Sequence, residues 1–341
     1  MCTRHQTSLA ATFSYCDHAP MTTRESVPQP SVQAAPRWLH LPVLALLLAT
    51  VFWGMGFTWA KSAGEAINAR AHLPPGAAMG PVLLLAVRFA LGATVWLIVF
   101  PAARRGWSAR TVRRGSLLGL ILATGLICQH LGLDRTSEAV SAFLTNLTVI
   151  FVPLIVALIS RKWPHARLSI AIAMAAIGIW LMTGAAPAGF GYGELLGLGC
   201  SLIFSVYIVT LDHATVGEDP FRLSAVQFLV VSAICFAVSL ILSRGGPLGL
   251  EIFLADRNVL RQTLLLSTLT TVGAFGLMMH FQPRIDPTRA ALIYLAEPVV
   301  ASLWAWYTAG RSLTALAAVG AALIIAANVM VGREGERDAA K

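Results

Sequence analysis

Ten apolar runs follow one another with little between them, and this succession limits the chain to very few folds. The runs lie near 41–60, 80–101, 115–133, 138–160, 168–185, 191–211, 221–243, 262–282, 288–310 and 313–331. Each has the length of about 20 residues that an α-helix needs to cross a hydrocarbon core of roughly 30 Å. They are continuously apolar and do not alternate with a two-residue period. Spanning helices therefore fit, and barrel strands do not. The expected fold is an all-α integral membrane protein with ten transmembrane helices. Only 12% of the residues are charged, against about 25% in soluble globular domains.

The basic excess supports this reading and excludes another. Lys and Arg number 25 against 16 Asp and Glu. They are scattered between the apolar runs and not gathered on a soluble module, so no nucleic-acid partner is expected. With the N-terminus inside, 17 of the 25 fall on the inner side, seven on the outer side, and Arg88 lies within a helix. That bias places both termini in the cytoplasm and the chain in the inner membrane. Three of the seven outer residues crowd into one loop, Arg244, Arg257 and Arg261, which is the weak point of the assignment. Residues 1–39 read as a disordered cytoplasmic tail, with Met21 an alternative start, and 332–341 as a short C-terminal tail. The five cysteines are far apart and form no CxxC pair, so neither a disulfide framework nor a metal site is expected, and no cofactor.

Five helices per half is an odd number, so a second copy of the first five must enter the membrane from the opposite side. The expected units are 40–185 and 190–331, related as inverted repeats. Helices four and nine align at an offset of 150 residues. Thr136-Ser137 falls on Asp286-Pro287, Val140-Ser141 on Ala290-Ala291, and Arg161 on Arg311, while Pro164 falls on Thr314. At an offset of 151, Phe52-Trp53-Gly54 falls on Ile203-Phe204-Ser205.

Two energetically costly residues stand side by side in the ninth helix, Glu297 and Pro298. A carboxylate at that depth costs at least about 2.5 kcal/mol, and the proline removes a backbone donor and opens the turn before it. Pro153 is expected to break the fourth helix at a different height, because Thr148 stands where a copy of Pro298 would fall. Arg88 is the second charge inside a helix. At 1.5 Å per residue its depth and that of Glu297 differ by about 4–5 Å, so an Arg88–Glu297 pair is an expectation. Asn146, with Thr145 and Thr148, forms a polar patch in helix four that suits substrate hydrogen bonds or interhelical contacts. Trp53, Tyr207 and Tyr294 suit cavity walls, as do Trp304 and Trp306, although membrane aromatics also serve as packing and interface belts. Lys61 reads as an anchor at the outer end of helix one, and Gln129, Gln227 and His280 as structural.

Several of these stretches resemble landmarks of one family. WGMGFTWAK (Trp53 to Lys61), Arg88-Phe89, the small-residue start of helix four and Glu297-Pro298 resemble, in that order, the EamA type of the drug/metabolite transporter superfamily. The resemblance spans about residues 44–331. It implies ten helices in two inverted repeats around a central cavity, and secondary transport, often export, of small metabolites. The partners it implies are a small-molecule substrate and the lipid bilayer, with a homodimer left open. The chain departs from the family at Ala309-Gly310-Arg311-Ser312, where a Gly-Glu-Arg run is common. Competing readings are a membrane-embedded enzyme, since His130-Leu-Gly-Leu-Asp134 has the HxxxD spacing of some acyltransferases, and an uncoupled channel. No HExxH, GxSxG or Gly-Lys-Ser/Thr loop occurs.

Overall fold

A backbone surrounded by hydrocarbon must bond to itself, and every regular element among the described residues is helical. The computed structural model describes residues 40–136, 138–161, 166–182, 191–309 and parts of 315–330. The helices are α1 (His40–Arg70), α2 (Met79–Val99), α3 (Ala109–Leu133), α4 (Glu138–Thr145), α5 (Thr148–Ser160), α6 (Ala166–Met182), α7 (Tyr192–Ala214), α8 (Pro220–Ser243), α9 (Ile252–Ala255), α10 (Arg257–Leu265), α11 (Gly276–Phe281), α12 (Pro287–Tyr294) and α13 (Ala296–Ala309). A π-helical segment, Leu266–Phe275, joins α10 to α11. Among the described residues seven stretches are long and apolar enough to span a membrane, including Arg257–Arg284 and Pro287–Thr308, and α5 is a shorter apolar helix. The two tails, Pro164 and Gly310–Ser312 lie outside the described residues.

Short polar residues set the helix starts. The Ser108 side chain accepts from the Thr111 N–H to begin α3. Asp219 accepts from the Phe221 N–H before α8, and Asp286 from those of Thr288 and Arg289 before α12. In the last two cases a proline occupies the first turn, where its missing donor costs nothing. Helix α1 runs on past Lys61 to Arg70, so Lys61 lies inside the helix and not at its end. The extension is held by Asn68, whose side chain donates to the Ala77 carbonyl and accepts from the Gly80 N–H, both at 2.8 Å.

The side chains sort by surroundings. Leu158 (81% exposed) and Ile241 (74%) face outward, as suits a lipid-facing surface. Inside, α3 packs between α7 and α8, and α2 lies along α8. Lipid tails are as apolar as leucine, so such packing rests on close van der Waals fit and hydrogen bonds.

One end of the bundle, where α3 and α8 begin, is filled by aromatics. Trp96 meets Phe100, Phe221 and Phe228 at 4.4, 5.8 and 5.6 Å between ring centroids. Outside this plug, the Glu218 carboxylate accepts from Thr111 Oγ1 (2.7 Å) and pairs with Arg110 (3.3 Å). Arg114 donates to the Val216 carbonyl at 2.7 Å. The opposite end has polar contacts of its own. Lys61 donates to the Thr136 carbonyl, Arg135 to that of Gly76, and Arg70 pairs with Asp256.

Two long helices are interrupted at matching places. The chain turns at Asn146-Leu147 between α4 and α5, and at Leu295 between α12 and α13. At the 150-residue offset, Leu295 falls on Thr145. The expectation that Pro153 breaks its helix is corrected here, because Pro153 lies within α5. The first break is made by Asn146, whose Nδ2 donates to the Ala142 carbonyl at 2.8 Å beside its own N–H at 3.1 Å. This side-chain bond to the carbonyl four residues back competes with the regular ladder and bends it. The second break does lie at a proline. In a continuous helix the residue at Pro298 would donate to Tyr294, and proline has no N–H to give.

Candidate functional site

Both breaks open onto one cavity of about 100 Å³. That volume admits several waters or part of a small organic molecule. Its walls include Trp53, Arg88, Gln129, His130, Thr145, Asn146, Thr148, Phe204, Tyr207, Thr270, Tyr294 and Glu297. Six of the seven residues singled out from the sequence therefore line one space. The seventh, Pro298, is next to Glu297 and shapes the turn that presents it.

Glu297 is buried, in the first turn of α13. Among the described residues its carboxylate has no hydrogen-bond or ion-pair partner. The helix N-terminus carries partial positive charge, which offsets some of the cost of holding an anion there. Close approach of α1 makes the position. A Cβ on Gly54 would stand 2.8 Å from the Val300 Cβ and 2.9 Å from the Glu297 carbonyl oxygen. Only glycine lets α1 lie this near the start of α13.

Arg88 does not pair with Glu297, contrary to the expectation from depth. Its Nε donates to Thr271 Oγ1 at 2.8 Å, and the guanidinium lies 5.2 Å from the centroid of the Phe89 ring. Thr271 belongs to the π-helical segment, whose wider turn also places the Thr270 carbonyl 3.1 Å from Trp53 Nε1. Trp53 in turn packs edge-on against Phe275 and Tyr294, at 5.2 and 5.4 Å. The π-helical segment thus holds two cavity side chains from two other helices.

The tyrosine hydroxyls are already engaged. Tyr207 donates to Gln227 Oε1 (2.9 Å) and Tyr294 to Gln282 Oε1 (2.8 Å). Gln227, read as structural from the sequence, thus holds a cavity tyrosine, and Gln282 was not singled out in the sequence. Gln129 lines the cavity and donates to Thr145 Oγ1 at 3.4 Å. Trp304 packs on Trp59 outside the cavity, Trp306 is exposed, and His280 contacts Arg284.

His130 also lines the cavity, a place the sequence did not assign to it. Its Nδ1 faces the Leu126 carbonyl at 3.0 Å, and its Nε2 is buried without a partner among the described residues. Asp134 lies one turn later, outside the span. Burial holds its carboxyl above the usual aspartate value, against the pull of Arg135 and Lys61. No hydrogen bond joins Asp134 to His130, so the HxxxD spacing does not make a catalytic pair here.

Residues 191–333 match the EamA-like transporter family. A curated relative, an uncharacterized transporter of Archaeoglobus fulgidus, is 25% identical over 288 residues, covering 84% of each chain. A solved crystal structure described only as that of a protein is 21% identical and has a TM-score of 0.63. The alignment covers 87% of this chain and 98% of the other, and shows a shared fold. Seven candidate spans among the described residues make this a multi-pass membrane protein, and the match to the EamA-like family together with the transporter-named relative points to a transporter.

Proposed function

We propose that the chain is a secondary transporter that carries a small metabolite or drug-like molecule through the cavity between the two broken helices. It works by alternating access, as an exporter, and uses Glu297 for proton coupling. The carrying observation is Glu297 itself, a buried carboxylate without a partner among the described residues, lining a cavity at a helix break. Ionisable groups inside membranes mark substrate or ion pathways, and interrupted helices in corresponding positions mark transporter sites. On this reading the chain has ten helices in two inverted five-helix repeats, 40–185 and 190–331. Both termini lie in the cytoplasm, where the aromatic plug and the Glu218 cluster close the inner end. The family match over residues 191–333 and the matched breaks support the repeat.

A metabolite-resolved comparison of culture media from cells with and without the gene supplies the cargo. The purified protein in proteoliposomes then shows saturable counterflow of that cargo. Nonsaturable, uncoupled flux makes the protein a channel, and chemical conversion of the cargo makes it an enzyme. The same preparation tests sidedness: cysteine at Asn146 reacts with a membrane-impermeant thiol reagent from each face in turn. Reaction from one face only, in all conditions, contradicts alternating access.

A further inference from the structure

We infer that His130 is a cargo-binding residue whose Nε2 accepts a hydrogen bond from an N–H donor of the cargo, and that this wall selects a primary ammonium over a fully alkylated one. The inference rests on the cavity being the transport site.

The tautomer follows from the partner on the other side of the ring. The Leu126 carbonyl can only accept, so Nδ1 carries the hydrogen in its 3.0 Å contact. In the neutral ring Nε2 is then an acceptor directed away from the backbone of α3. It is buried and has no partner among the described residues, a state that a core histidine avoids.

The neighbouring groups have the same bias. Asn146 commits one N–H of its Nδ2 to the Ala142 carbonyl and Gln129 one of its Nε2 to Thr145, which leaves each with a second N–H and a free carbonyl oxygen. Glu297 offers two more acceptor oxygens. Four side chains on α3, the α4–α5 break and α13 therefore bring acceptors to the walls of one space. Arg88, whose terminal N–H groups have no partner among the described residues, is the only charged donor lining it. A cargo that satisfies this set brings several N–H donors of its own. Trp53, Phe57, Phe204 and Phe275 provide apolar walls for the rest of it.

Two probes of one skeleton test this, 2-phenylethylammonium and its N,N,N-trimethyl analogue. They carry the same charge and differ in N–H donors. Affinities are measured on the purified full-length protein by quenching of tryptophan fluorescence. The wild type binds the primary ammonium about tenfold more tightly, the scale of one hydrogen bond from a charged donor. His130→Phe brings the ratio close to one, and His130→Gln, which keeps an acceptor, restores most of it. Glu297→Gln weakens both probes and leaves the ratio. A His130→Phe protein that binds with the wild-type ratio overturns the role of His130 alone. Equal binding of both probes by Glu297→Gln and wild type overturns the use of Glu297 and leaves His130 standing. Failure of the wild type to bind either probe overturns both.

Discussion

The two broken helices reach the same shape by different means. In α12–α13 the covalent structure makes the break, since Pro298 has no N–H for Tyr294. In α4–α5 a side chain makes it, since Asn146 Nδ2 takes the Ala142 carbonyl. Each is also held by a long helix packed against it. Gly54 of α1 admits α13, and Gly197 of α7 admits α4, where an added Cβ would stand 2.6–2.8 Å from Leu144 side-chain atoms. The two holds differ in hardness. Gly54 faces a backbone carbonyl as well as Val300, whereas Gly197 faces only Leu144, whose Cδ1 can turn away and whose Cβ must shift with its backbone. The difference implies a fixed break carrying the carboxylate and a softer break opposite.

The largest effect is expected at these glycines. Gly54→Val overpacks a backbone contact and destabilises the protein by roughly 2–3 kcal/mol, while Gly197→Val costs about 1 kcal/mol because Leu144 can shift. Thermal unfolding of the purified variants measures both. Equal losses would erase the proposed asymmetry. Pro298→Ala comes next. It returns a donor to Tyr294, raises stability by about 1 kcal/mol, and lowers cargo flux roughly tenfold by straightening the break, in line with about 1.4 kcal/mol per decade. Asn146→Ala is smaller, with the Ala142 carbonyl falling back on its backbone donor. Flux drops about threefold with stability changed by less than about 1 kcal/mol. A larger loss from Asn146→Ala than from Pro298→Ala would reverse the order of the two devices.

Much of this was legible in the residues. Apolar run length identified an all-helical membrane protein, of whose ten expected spans seven are long and apolar enough among the described residues, and the cost of Glu297 in hydrocarbon drew attention to the residue on which the candidate site is built. The rest depends on contacts that sequence does not encode locally. Asn146 bonding four residues back leaves no signature, whereas Pro153 offers one and sits inside a helix. Thr271 holds Arg88 across 183 residues of chain, by way of a π-helical turn that no periodicity announces. His130 was visible only as part of HxxxD spacing, and its exposure to the cavity follows from how α3 rotates against α2 and α4. Helix α1 outruns its apolar segment because Asn68 ties its end to the loop before α2.

The central claim is that the Glu297 carboxylate couples the cavity to the proton gradient. Gradient-driven uptake of the identified cargo into proteoliposomes, with wild type and Glu297→Gln compared at matched protein density, tests it directly. The account predicts that the variant retains counterflow and no longer responds to an imposed pH gradient. Accumulation driven by the gradient to the wild-type level in Glu297→Gln would contradict it.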